Sequence, residues 1–174
     1  MSDDFFSHLE SPRMIADDPT QEPAETGRLT SPADISRFML GGAATLTIES
    51  AKTGTRFTYK VSLPRDKETG AIDRLANIRF VSVLTGQSNE SDYTYLGYIR
   101  DSLYMHGTKK SRISRDAPSA KAFEWFYRMV IMQQTLPDTL KVFHEGKCGR
   151  CGRKLTVPES IRSGIGPECI KKGF

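Results

Sequence analysis

All three cysteines fall within the last 27 of 174 residues, and a histidine precedes them as His144-x3-Cys148-x2-Cys151-x17-Cys169. A Cys-x2-Cys turn points two thiolates at one ion. Gly149 and Gly152 let backbone N–H groups face the sulfurs without a Cβ in the way. Imidazole and thiolate are the ligands of structural Zn2+, and four of them close a tetrahedron. The expected cofactor is therefore Zn2+, held by His144, Cys148, Cys151 and Cys169. The plainer alternative is a set of reduced cysteines that only fill space. The glycines, arginines and lysine packed around them argue against it. His144 ends an apolar stretch of Leu140, Val142 and Phe143, where a histidine also serves as an ordinary surface or core residue. The other sources of a fourth ligand are His8, His106, Glu168 or water, and a water would supply the open position that catalytic zinc requires.

The stretch between the cysteines reads as a device for returning Cys169 to the other two. Thr156-Val157-Pro158-Glu159 has the form of a capping box, Ile161 offers an apolar anchor and Gly164 suits the end of a two-turn helix. Ile165-Gly166-Pro167-Glu168 then folds back.

The run Cys148-Gly149-Arg150-Cys151-Gly152-Arg153-Lys154-Leu155-Thr156-Val157-Pro158-Glu159-Ser160-Ile161, continued by Gly164-Ile165-Gly166-Pro167-Glu168-Cys169, resembles the signature of the DUF6011 domain. That family occurs in proteins of bacteriophages, prophages and other mobile elements, and its function is unknown. The similarity is expected to extend upstream through segments such as Gly54–Tyr59, Phe80–Gly86, Asp92–Gly97 and Asp116–Phe123, covering about residues 36–170. The resemblance implies Cys148, Cys151 and Cys169 as metal ligands and no activity.

Two basic clusters suit phosphate. Lys109, Lys110, Arg112 and Arg115 lie within seven residues that contain no acid. Around the cysteines stand Lys147, Arg150, Arg153, Lys154 and Arg162, with Lys171 and Lys172 at the end of the chain. An ordinary solvated surface is the competing reading of these charges. Tyr93, Tyr95, Tyr98 and Tyr104 are candidate stacking surfaces for bases, although aromatic residues also suit strands for packing alone. Catalytic patterns are thin. Gly-x-Ser-x-Gly, His-Glu-x-x-His and Gly-x4-Gly-Lys motifs are missing, and the acid pairs Asp66/Glu68 and Glu90/Asp92 fall in polar turns. His106 is the one spare general-base candidate, and no nucleophile stands beside it.

Lys and Arg total 25 against 21 Asp and Glu, a net charge of +4. That sum hides an asymmetry. Residues 1–30 hold seven acids and two bases, a net −5, so the other 144 residues carry +9. The acidic stretch, with little to bury beyond Phe5, Phe6 and Leu9, is expected to be a disordered tail. Its expected role is to solubilise, or else to mimic nucleic-acid charge or shield the basic body when no ligand is bound. No apolar run approaches the roughly 20 residues needed to span a bilayer, and the start is acidic where an export signal is basic. The expected setting is the cytoplasm, that of the host if the chain is phage-encoded.

Elements that could position these groups begin with a helix at Ser31-Pro32-Ala33-Asp34, its stripe Ile35, Phe38 and Met39, ended by Gly41-Gly42. Alternating strands follow at Thr45–Glu49 and Arg56–Leu63 around a Gly54 turn. Further strands are expected at Ile78–Leu84, Tyr93–Ile99 and Ser102–His106. A long helix from Ala117 to about Thr135 is apolar nearly all round, so something must cover its second face. The expected fold is α+β: an antiparallel sheet of four or five strands packed on one long helix, with a C-terminal zinc knuckle covering part of that helix. The expected organisation is a tail over 1–30, a body over 31–140 and a knuckle over 141–174. The function these features imply is a non-enzymatic accessory protein of a phage or mobile element that binds DNA or RNA through its basic residues. The alternative partner is a host protein, with the chain inhibiting a defence or nucleic-acid-processing enzyme. A zinc hydrolase is a weaker third reading.

Overall fold

The computed structural model describes residues 27–173. The acidic stretch over 1–26, with His8, lies outside them. Seven strands form one antiparallel sheet: β1 (Arg28–Leu29), β2 (Ala43–Ser50), β3 (Arg56–Ser62), β4 (Arg79–Leu84), β5 (Tyr93–Arg100), β6 (Leu103–His106) and β7 (Leu140–His144). Their order across the sheet is β1-β7-β2-β3-β4-β5-β6. The helices are α1 (Pro32–Met39), α2 (Pro118–Ile131), α3 (Pro158–Ser163) and α4 (Pro167–Lys171).

The five expected strands are present, joined by β1 and β7 to make seven. Strand β7 inserts between β1 and β2, with Val142 opposite both Leu29 and Ile48. The sheet therefore begins before Ser31 and receives a strand from the segment that leads to the cysteines.

Alternation puts Leu46 and Ile48 of β2, Tyr59 and Val61 of β3, and Val81 and Val83 of β4 on one face. All are buried, together with Ile35, Phe38 and Met39 of α1 and Ala122, Phe123, Phe126 and Val130 of α2. The sheet packs on two helices and not on one long one: α2 stops at Ile131, where Gln133 turns to a positive φ of 52°. Tyr59 Oη donates to the Ser119 carbonyl oxygen at 2.7 Å, which fixes the start of α2 over the middle of the sheet.

Helix α1 lies against α2 on one side and α3 on the other. The knuckle thus seats on α1, where the sequence suggested the long helix. Gly149 and Gly164 press on Phe38: a Cβ on either would come within 2.5 Å of the Phe38 backbone oxygen or ring. Ala43 N–H donates to the Gly149 carbonyl oxygen at 2.7 Å, joining the knuckle to the first residue of β2.

Candidate metal centre

Strand β7 ends at His144, and Gly146, at φ 79°, turns the chain into a hairpin in which Lys147 bridges Lys154. Cys148 and Cys151 sit in that hairpin. Its closing bonds run from Cys148 N–H to the Arg153 carbonyl and from Gly152 N–H to the Cys148 carbonyl, both 2.8 Å. Leu155 then enters the core and α3 follows. Gly164 ends α3 in the left-handed region at φ 72°, and α4 carries Cys169 back.

The expected capping box does not form. Val157, not Thr156, caps α3, with φ −90° and ψ 132°. Pro158 forces this, because a residue preceding proline is held out of the helical region.

The sulfurs of Cys148, Cys151 and Cys169 all lie within 4.8 Å of one another. They are reduced. A tetrahedral ion with Zn–S bonds of about 2.3 Å would set them about 3.8 Å apart, a small contraction. Burial pushes the Cys148 thiol up, but N–H groups of Gly166, Cys151 and Arg150 aimed at its sulfur outweigh this and bring it below its ordinary value. The Gly166 contact is 3.3 Å. Cys169 moves the other way, to about 11, through burial and the neighbouring sulfurs. A favoured thiolate at Cys148 beside a Cys169 thiol that resists ionising is a donor set that a dication completes. The group can hold a metal ion, and its chemistry is compatible with zinc.

His144 is not brought into this group. Its Nδ1 accepts the Gly146 N–H at 2.9 Å and its Nε2 meets the Ile161 carbonyl oxygen at 2.6 Å. Both ring nitrogens serve the backbone. His106 Nε2 is likewise 3.0 Å from the Ile113 carbonyl oxygen. The Glu168 carboxylate pairs with Lys171 at 3.1 Å. Among the described residues the group consists of the three cysteines.

Over the sulfurs opens a pocket of about 500 Å3. Arg74, Arg150, Arg153, Lys154 and Lys172 line it against the single carboxylate of Glu168. Arg150 Nη1 donates to the Cys169 carbonyl oxygen at 2.8 Å, and Arg74 Nη2 to the Arg150 carbonyl oxygen at 3.2 Å. Four of the basic residues singled out from sequence thus converge here. Arg74 was missed, since it lies in a loop 76 residues from Arg150 with no local pattern to mark it.

Residues 138–172 match the model of DUF6011, a family of unknown function. The matched DUF6011 segment takes in β7 and the knuckle through α4. The rest of the sheet, which the resemblance was expected to include, lies outside the match. Comparison with curated proteins and with solved structures finds no match.

Other expected contacts are dispersed. Arg162 faces Glu159, Lys147 faces Glu145 and Arg115 faces Glu124, all at 3.1–3.6 Å on the surface. Lys109, Lys110 and Arg112 are exposed on the loop after β6. Tyr104 is turned inward onto Phe123, with ring centroids 5.0 Å apart. Asp66 and Asp92 accept hydrogen bonds from their own turns, Asp66 from Thr69 and Asp92 from Ser88. No helix among the described residues is long and apolar enough to cross a membrane.

Proposed function

We propose that the chain is a non-enzymatic accessory protein, of the phage or mobile-element kind implied by its resemblance, that binds nucleic acid through a zinc-stabilised knuckle. Cys148, Cys151 and Cys169 hold the ion, which crosslinks the hairpin to α4 and so fixes the rim of the pocket. The observation that carries the reading is the composition of that rim, five cations to one carboxylate over the sulfurs. A dication on three thiolates leaves one net negative charge. The rim more than offsets it and presents a positive concavity to a phosphodiester. Arginine and lysine in such a setting position a backbone by displacing counterions, with little demand on sequence.

The test is the salt dependence of oligonucleotide binding by the zinc-loaded chain and by an Arg153→Ala, Lys154→Ala variant. Each lost phosphate contact reduces the slope of log affinity against log salt by about 1. The variant is expected to bind more weakly with a shallower slope. Equal affinity and slope would overturn the assignment of the pocket.

A further inference from the structure

The sheet face opposite the helices carries aromatic rings on neighbouring strands, and a β-bulge is what gathers them. Tyr95 and Tyr98 are three residues apart, which in a regular strand places them on opposite faces. The register shifts at Val81/Ser82, where Tyr95 stands opposite Ser82, Gly97 opposite Val81 and Tyr98 opposite Phe80. The extra residue, Leu96, is fully buried in the core. Tyr95 and Tyr98 therefore share the outer face, which is the re-aiming that bulges perform. Ser62, Phe80, Tyr98 and Met105 form one row across β3, β4, β5 and β6. The Phe80 and Tyr95 rings lie edge to face at 6.3 Å.

This face is open and cationic. Phe80 is 39% exposed, Met105 51% and Leu103 67%. Strands β3 to β6 contain no acidic residue. The Arg100 guanidinium lies 5.7 Å over the Tyr98 ring. The basic loop is pinned at the same place: Ser111 Oγ donates to the Tyr95 carbonyl oxygen at 2.8 Å, and Gly107 lies against the Tyr95 ring. Lys109, Lys110 and Arg112 are thereby held beside the rings.

We propose that the outer face around Phe80, Tyr95 and Tyr98 is a stacking platform for the bases of single-stranded nucleic acid, with the Lys109–Arg112 loop contacting its backbone. The inference rests on the nucleic-acid reading above and extends it to a second surface and to strand form. Flat rings flanked by cations, on strands that carry no carboxylate, fit a polyanion whose bases are unstacked. A duplex keeps its bases stacked on one another and cannot offer them to the rings.

The test uses the full zinc-loaded chain, a labelled single strand of about 12 nucleotides and the duplex of the same sequence. Tyr98→Ala is expected to weaken single-strand binding by about 5- to 100-fold with an unchanged salt slope, since a stack and not a phosphate contact is lost. Duplex binding should be unaffected, and Tyr98→Phe should keep the parent affinity. Should Tyr98→Ala fail to fold, Phe80→Ser at the neighbouring exposed ring carries the same expectation. A folded variant that binds the single strand as the parent does, or that weakens duplex binding equally, overturns the platform and leaves the knuckle reading standing. A parent chain with no affinity for either form at low salt overturns the nucleic-acid reading itself.

Discussion

His144 Nε2 and the Ile161 carbonyl oxygen stand 2.6 Å apart, which ties the end of β7 to α3 across the base of the knuckle. Because Nδ1 accepts from Gly146 N–H, the ring is neutral with its proton on Nε2, which donates to Ile161. His144 stands outside the cysteine group and here serves as a strut. His144→Ala is expected to keep the metal stoichiometry of the parent and to lose about 1–3 kcal/mol of stability, read by zinc analysis and by denaturant unfolding.

The same geometry sets a pH dependence. Burial holds the His144 pKa below its ordinary value, ahead of the opposing effects of Ile161 and Glu145. The folded state thus favours the neutral ring. Its contribution is complete above the unfolded value of about 6.5 and is lost as pH falls below it toward the folded value. The melting temperature should fall over that interval in the parent, and the part due to this residue should vanish in His144→Ala.

Gly149 and Gly54 are glycines for different reasons, a close contact at one and a left-handed turn at the other. A Cβ at Gly149 would lie 2.5 Å from the Phe38 carbonyl oxygen, whereas at Gly54, at φ 69°, it would meet nothing within 4 Å. Gly54→Ala should cost only the left-handed backbone penalty of about 1–2 kcal/mol. Gly149 has no positive φ, so Gly149→Ala escapes that penalty, but it must push the knuckle away from α1 against a backbone oxygen, and its loss in thermal melts should be the larger.

Metal removal should be felt in the fold. A zinc that joins the hairpin to α4 contributes to folding directly, so chelation should lower the melting temperature. Serine at Cys148, Cys151 or Cys169 should do the same and abolish stoichiometric zinc. Cys169, pushed up to about 11, must give up its proton to bind. Zinc uptake should therefore release protons and weaken as pH falls, which is measurable by calorimetry in buffers of different ionisation enthalpy.

Local pattern revealed much of this molecule. Arg56–Ser62 alternates cleanly because one face meets the core and the other meets water, and the three cysteines announce a metal group by spacing alone. What escaped depends on distant partners. Leu140–His144 is a strand because it pairs with β2, about 95 residues earlier, and its histidine faces inward beside Phe38 with ring centroids 5.4 Å apart. A two-residue strand such as β1 carries no periodicity of its own. Likewise, Arg74 joins the pocket, and Tyr95 joins Tyr98, only through a loop's path and a bulge. Thr156 misled because the proline two positions later overrides the capping pattern it completes.

The most direct measurement of the central claim is oligonucleotide affinity at several salt concentrations, with the chain zinc-loaded and after verified chelation. Log affinity is expected to fall linearly with log salt, and binding to weaken when zinc is removed. No detectable affinity at low salt, or equal affinity with and without the metal, would contradict it.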